Sequence, residues 1–247
     1  MIGTYGAVVL LDASPDIRHQ AQRLLDSPIY PTGRNALFDG VFITHAHMGH
    51  YAGLLHFGKE AAAVDRMPLY ASKRFIGFMA QNEPWATLLT DNHMDPIPLD
   101  HASAAIDQDL GITAIPVPHR DEHTDTVALS VHVDGSPWLL YLPDIDDWSS
   151  WDKAELEISR HDVALIDATF SSSDELSDRN VLSIRHPLVS DTITRFGHLA
   201  QDTQLVLTHI NHSNPLGDPS ADITKHATAA GFSIAYDGLT ISVGTGT

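Results

Sequence analysis

Val41-Phe42-Ile43-Thr44-His45-Ala46-His47-Met48-Gly49-His50 is the stretch on which the reading of this chain turns. Three imidazoles fall within six residues, after an apolar run that reads as a strand and before a pattern, Tyr51 to Ala63, that reads as a helix. In an extended or tightly turned segment, side chains two apart point to the same side, so His45 and His47 can meet on one ion. His50 then stands at the mouth of the helix. A cation held at a strand-to-helix turn by neutral imidazoles fits this pattern. Most single histidines are surface or satisfied core residues, and the chain has sixteen. What lifts this group above chance clustering is the spacing, His-x-His with a third His three residues on, behind a β-like run.

Composition sets the bounds. At 247 residues a sizeable core is available, and one domain over residues 1–247 is expected. Fourteen basic against 32 acidic side chains give a net charge of −18, which disfavours nucleic acid and anionic membranes as partners. There is no cysteine, so disulfides and thiolate sites are excluded and any metal must use histidine and carboxylate. The run Ala7 to Leu11 is cut by Asp12, too short for a membrane span or a leader core, and a cytoplasmic protein is expected.

Further candidates follow other apolar runs. Ala7 to Leu11 reads as a buried strand ending at Asp12, and Ser14-Pro15-Asp16 opens a helix to about Leu25. Pro68 to Ala71 reads as a strand, Ser72 as the cap of a helix to about Met79, and Asn82 to Leu99 as irregular. Ile112 to Val117 ends in the proline-stiffened Pro116-Val117-Pro118-His119-Arg120-Asp121-Glu122-His123, a place to present a ligand at low entropic cost. Thr126 to Val133 returns as a strand. Trp138 to Leu142 ends in Pro143-Asp144-Ile145-Asp146-Asp147, with Asp146 and Asp147 as starts or caps of Trp148 to Ile158. Val163 to Ile166 precedes Asp167-Ala168-Thr169-Phe170, and Leu205 to Thr208 precedes His209-Ile210-Asn211-His212. His186-Pro187 precedes a helix to about Leu199. A helix from Ala221 to Ala230 and a strand pair, Phe232 to Tyr236 and Leu239 to Val243, close the chain. Each candidate ligand lies just past a strand, and ends of adjacent strands gather at one edge of a sheet.

The stretch from Val41 to His50 resembles the His-x-His-x-Asp-His signature of the metallo-β-lactamase superfamily, with Gly49 in the place of that family's Asp. With Tyr51-Ala52-Gly53-Leu54-Leu55 after the last His, it is similar to the coenzyme PQQ biosynthesis protein B-like branch, near the tRNase Z group, whose Glu-Ala-Thr-Phe the segment Asp167 to Phe170 resembles. The zinc knuckle frequent in that branch needs cysteines this chain lacks.

The resemblance implies an α/β (α+β) fold, a four-layer αβ/βα sandwich. Only six residues precede Ala7 where the family has two or more strands, so a sandwich lacking N-terminal edge strands, or a truncated chain, is expected. It implies His45, His47 and His119 as one metal's ligands, Asp144 as a bridging and catalytic carboxylate, and His50 and His209 as holders of a second ion. Asp12 is either support for the metal loop or a helix-capping carboxylate, and Asp167 is expected to bond a ligand imidazole. His186 is a candidate proton donor or a surface residue. His212 is a candidate catalytic residue and, with Asp121, a candidate to fill the place that Gly49 leaves open.

A divalent metal, zinc first with manganese or iron as options and one or two ions in number, lowers the pKa of bound water to about 7. Hydrolysis of a small ester, lactone, amide or phosphodiester is therefore expected, with a weakened second metal because of Gly49. An iron oxygenase of the PQQ-B type and a non-catalytic metal-binding protein are the alternatives. The expected partner is a small-molecule substrate, with homo-oligomerisation left open.

Overall fold

The computed structural model describes residues 1–99, 103–176 and 184–243. Its strands belong to two sheets, and the chain divides into two compact units. The first comprises Met1–Pro116 with Asp121–Val127, the second Val117–Arg120 with Ala128–Thr247. No helix among the described residues is long and apolar enough to cross a membrane.

In the first unit, β1 (Val9–Leu11), β2 (Gly40–Phe42), β3 (Met67–Ala71) and β4 (Met94–Pro98) form a parallel sheet in that order. Val41 and Leu69, paired across β2 and β3, are fully buried, as an all-parallel sheet covered on its faces requires. β4 carries Pro96 and Pro98, which an edge position tolerates because no further strand needs their missing N–H. Val8, Ile43, Leu54, Phe57, Phe75 and Met79 complete the core. Helix α1 (Ile17–Leu25) follows β1. After α2 (Met48–Tyr51), helix α3 (Lys73–Gln81) starts at Ser72, whose hydroxyl accepts from the Phe75 amide at 3.1 Å. The unit also holds α4 (Trp85–Thr90) and most of an antiparallel pair, β5 (Ser103–Ala105) with β6 (Leu110–Val117).

The second unit is built on β7 (Thr126–Val133), which begins two residues before it, and β8 (Ser136–Leu142). These pair antiparallel across Asp134 and Gly135, whose φ values of 50° and 79° make the turn an Asp-Gly hairpin of the primed kind. β9 (Val163–Asp167), β10 (Gln204–Thr208) and β11 (Ser233–Ile234) then add in parallel, each reached through a helix: α5 (Ala154–Ser159), α6 (Val189–Phe196) and α7 (Asp222–Ala229).

Four expectations need correction. The helix expected over Tyr51 to Ala63 is one α-turn, α2, followed by a 3₁₀ segment, Ala52–Phe57. The chain there is pressed against the loop after β1, with the Gly53 amide donating to the Ala13 carbonyl at 2.8 Å, and it tightens to fit. Asn82 to Leu99 is ordered as α4 and β4, because Ala86, Leu88 and Met94 bury apolar side chains that the prolines obscured. Trp148 to Ile158 breaks into a 3₁₀ turn, Trp148–Ser150, and α5, with Trp151 outside helical geometry between them. Among the described residues Leu239 to Val243 forms no strand, and β11 ends the sheet.

Candidate metal centre

In the first unit the His-rich turn is held by Asp12. This residue leaves β1 in the left-handed region, φ 56°, which aspartate tolerates better than most residues. Its buried carboxylate accepts from the Thr44 amide (2.8 Å), the Thr44 hydroxyl (2.9 Å) and His50 Nδ1 (2.7 Å). Thr44 Oγ1 also lies 3.0 Å from His45 Nδ1. Since its one proton goes to Asp12, the hydroxyl accepts from His45 Nδ1–H. His45 and His50 therefore both carry a proton on Nδ1, and in the neutral ring the lone pair is on Nε2, the state a ligand imidazole needs.

His45 Nε2 faces His47 Nδ1 at 2.8 Å. His47 Nε2 stands 3.2 Å from the half-exposed carboxylate of Glu122. The segment carrying Glu122 is tied to the turn by the Ala46 amide donating to Thr124 Oγ1 (3.0 Å) and the Val127 amide donating to the Thr44 carbonyl (3.2 Å).

The second unit repeats the arrangement at other strand ends. Asp167 closes β9 fully buried and accepts from the Thr169 amide (2.9 Å), the Thr169 hydroxyl (2.7 Å), the Ile145 amide (3.1 Å) and His186 Nδ1 (2.7 Å). Thr169 Oγ1 in turn stands 2.8 Å from Nδ1 of His209, which follows β10 at φ 57°. The same proton count puts a proton on Nδ1 of His186 and of His209, so that in the neutral ring the lone pair is on Nε2. Asp144, buried past the end of β8, has His209 Nε2 at 3.4 Å, His119 Nε2 at 3.6 Å and His186 Nδ1 at 3.7 Å. Burial pulls the His186 pKa down, but the charge and hydrogen bond of Asp167, aided by Asp144, outweigh it and raise the pKa.

His119, Asp144 and His186 offer ligand atoms all within 4.8 Å of one another, and so do Asp167, His186 and His209. Imidazole nitrogens and carboxylate oxygens with fixed protons, and no thiolate, suit zinc, manganese or iron(II).

Of the residues singled out in the sequence, His119, Asp144, His186 and His209 thus lie together in the second unit, and His45, His47 and His50 lie together in the first. His212 is exposed and belongs to neither donor group. Asp121 is exposed, 3.9 Å from Arg74. Gly49 is exposed, and a Cβ there would meet nothing within 4 Å. Asp147 caps the turn after it, accepting from the Ser149 amide at 2.6 Å. Asp146, read as a cap, instead places Oδ1 3.2 Å from His119 Nδ1 and accepts from the Arg120 amide at 3.0 Å. Its spacing from Asp144 was the available signal. The hydroxyls of Thr44 and Thr169, each within two residues of a singled-out His or Asp, were missed as the parts that fix the imidazole protons.

A buried His and Asp cluster on strand ends in a two-sheet α/β chain defines a class, and comparison with known proteins agrees. The chain belongs to the beta-lactamase superfamily, whose domain profile matches residues 8–210. Within it, the chain is 27% identical over 260 residues to coenzyme PQQ synthesis protein B of Xanthomonas campestris pv. campestris, covering 95% of this chain and 83% of that protein. The crystal structure of Zn(2+)-bound PqqB from Methylobacterium extorquens has the same fold, with a TM-score of 0.81 at 22% identity over 98% of this chain and 86% of that one. Human tRNase Z, short form, is also similar in fold, with a TM-score of 0.60 at 18% identity over 96% and 88% of the two chains.

Proposed function

We propose that this chain is a metal-dependent hydrolase of a small ester, lactone, amide or phosphodiester. The observation that carries the reading is the set of His119, Asp144, His186 and His209, with the Nδ1 protons of His186 and His209 held by Asp167 and Thr169. His119, Asp144 and His209 are the proposed ligands in the second unit, and His45, His47 and His50 in the first. A divalent ion bound there supplies Lewis acidity and makes water acidic enough to attack near neutral pH. The residues themselves orient and exclude. Asp167 and Thr169 keep the Nε2 lone pairs of His186 and His209 forward, and the burial of Asp144 limits competing water. Asp144 and His186 are the proposed groups for holding and passing a proton. The zinc-bound relative supports zinc, and the net charge of −18 supports a small molecule over a nucleic acid.

A second reading rests on the same groups. His119 and His186 with Asp144 form a two-histidine, one-carboxylate set, the donor combination of non-haem iron oxygenases. Elemental analysis of protein purified without added metal or chelator separates the two. Zinc or manganese near one to two per chain, lost in both His47→Ala and Asp144→Asn, with turnover of an ester and phosphodiester panel, supports the hydrolase. Iron with dioxygen uptake supports the oxygenase. An intact metal with neither activity would leave a non-catalytic metal-binding protein.

A further inference from the structure

Asp146, beside the Asp144 cluster, is bonded by the side chain of Arg185 and by the backbone of Arg120. Arg185 Nη1 lies 3.3 Å from Asp146 Oδ2. The Arg120 amide donates to Asp146 Oδ1, the oxygen 3.2 Å from His119 Nδ1. The charge of Arg120 also reaches His186, where it opposes protonation. The Asp146 side chain is 18% exposed and that of Arg185 65%, so the carboxylate is covered while the guanidinium faces outward.

The backbone at Arg185 is left-handed, φ 57°, a conformation that long side chains rarely adopt. It directly precedes His186, which is held by Asp167. Strain kept at such a place points to a role for the side chain it presents. With 14 basic residues against 32 acidic ones, the field of the whole chain repels anions, so capture of an anionic group needs local positive charge, which these two arginines carry. Among the described residues Asp146 meets Arg185 through Nη1, one of five N–H donors of a guanidinium fork whose geometry suits two-point capture of a carboxylate or phosphate.

We propose that Arg185, backed by Arg120, binds an anionic group of the substrate, carboxylate or phosphate, and so brings the bond to be cleaved to the Asp144 cluster. This rests on the hydrolase reading and adds the substrate class. The alternative is that Arg185 merely screens Asp146.

The test uses zinc-loaded protein and its Arg185→Gln and Arg185→Lys variants on p-nitrophenyl acetate, mono-p-nitrophenyl succinate and methyl p-nitrophenyl phosphate. In Arg185→Gln the ratio of kcat/KM on an anionic ester to that on the acetate falls about tenfold, through KM, as expected for one charge-assisted contact. Arg185→Lys keeps part of the ratio. The anionic ester whose ratio falls identifies the group, and ratios unchanged for both overturn the proposal.

Calorimetric titration with succinate and with inorganic phosphate gives a readout without turnover. Wild-type binding weakened about tenfold in Arg185→Gln sustains the proposal, even if no ester is turned over and the hydrolase reading falls. Equal binding by the variant, or binding of neither anion by the wild type, overturns it.

Discussion

Asp12 with Thr44, His45 and His50 in the first unit, and Asp167 with Thr169, His186 and His209 in the second, are one device made twice. In each, a buried strand-end aspartate takes the hydroxyl proton of a threonine and the Nδ1 proton of one histidine, and the threonine accepts from a second histidine. The wiring along the chain differs. Thr44 lies 32 residues beyond its aspartate and adjoins its histidine. Thr169 lies two residues beyond its aspartate and 40 residues before His209. Geometry at strand ends, not spacing in the chain, is what the two share.

If the two clamps are equivalent, their removal should cost alike, since each leaves buried donors stranded. Asp167→Ala strips partners from at least four donors and Asp12→Ala from at least three. Breaking a buried charged pair costs about 3–5 kcal/mol. Urea denaturation should therefore show a loss of about that size for Asp167→Ala and for Asp12→Ala alike. A large loss for one and none for the other would break the comparison.

A buried histidine without an aspartate sharpens it. His161 donates from Nδ1 to the Glu157 carbonyl (2.6 Å) and accepts from the Ser130 hydroxyl at Nε2 (2.6 Å). Burial, aided by the Arg160 and His132 charges against Asp162 and the Glu157 carbonyl, lowers its pKa to about 4. The folded value lies below the unfolded one, so the unfolded chain takes the proton first. Stability is complete above about pH 6.5 and is lost as the pH falls from there to about 4, by up to about 3 kcal/mol. Chemical denaturation across that range reads the loss, and His161→Leu should flatten it.

Smaller effects test the threonines and the glycine. Thr169→Val and Thr44→Val remove the hydroxyl that fixes an imidazole proton, and each should weaken zinc binding by about 10- to 100-fold, with Thr→Ser restoring most of it. A competitive chelator titration measures this, and a loss at only one of the two would show that only one clamp serves a metal. Gly49→Asp should change stability least, within about 1 kcal/mol, since its Cβ meets nothing within 4 Å. The same elemental analysis should find more metal per chain in this variant, because the added carboxylate is a further donor.

The histidines of the first clamp were legible in the sequence because they crowd into six residues behind an apolar run, while Asp12 was left with two readings and Thr44 was passed over. Most strands were legible too, since Val163 to Ile166 or Leu205 to Thr208 are bounded apolar stretches. What could not be read depended on contacts distant in sequence. His186 sits on a loop, and only the folded chain sets it 2.7 Å from Asp167. Asp146 looked like a cap because local hydrogen bonding is the commonest use of an Asp-Asp pair before a turn, and Asp147 fills that use. The expected Tyr51 to Ala63 helix failed for a related reason. Its periodicity was sound, but a neighbouring loop left no room for a regular α-helix.

That neighbouring loop gives Gly53 a weight its chemistry does not suggest. A Cβ at this position would run into the carbonyl oxygens of Ala13 and Ser14, which directly follow Asp12. Any side chain there pries the aspartate's own backbone away from the imidazole turn, so a residue with no donor atom acts as the bearing on which that turn is seated. Variation at Gly49 and at Gly53 should then be felt in opposite ways, permissive at the exposed position where a Cβ meets nothing and forbidden at the one seated on the loop after Asp12.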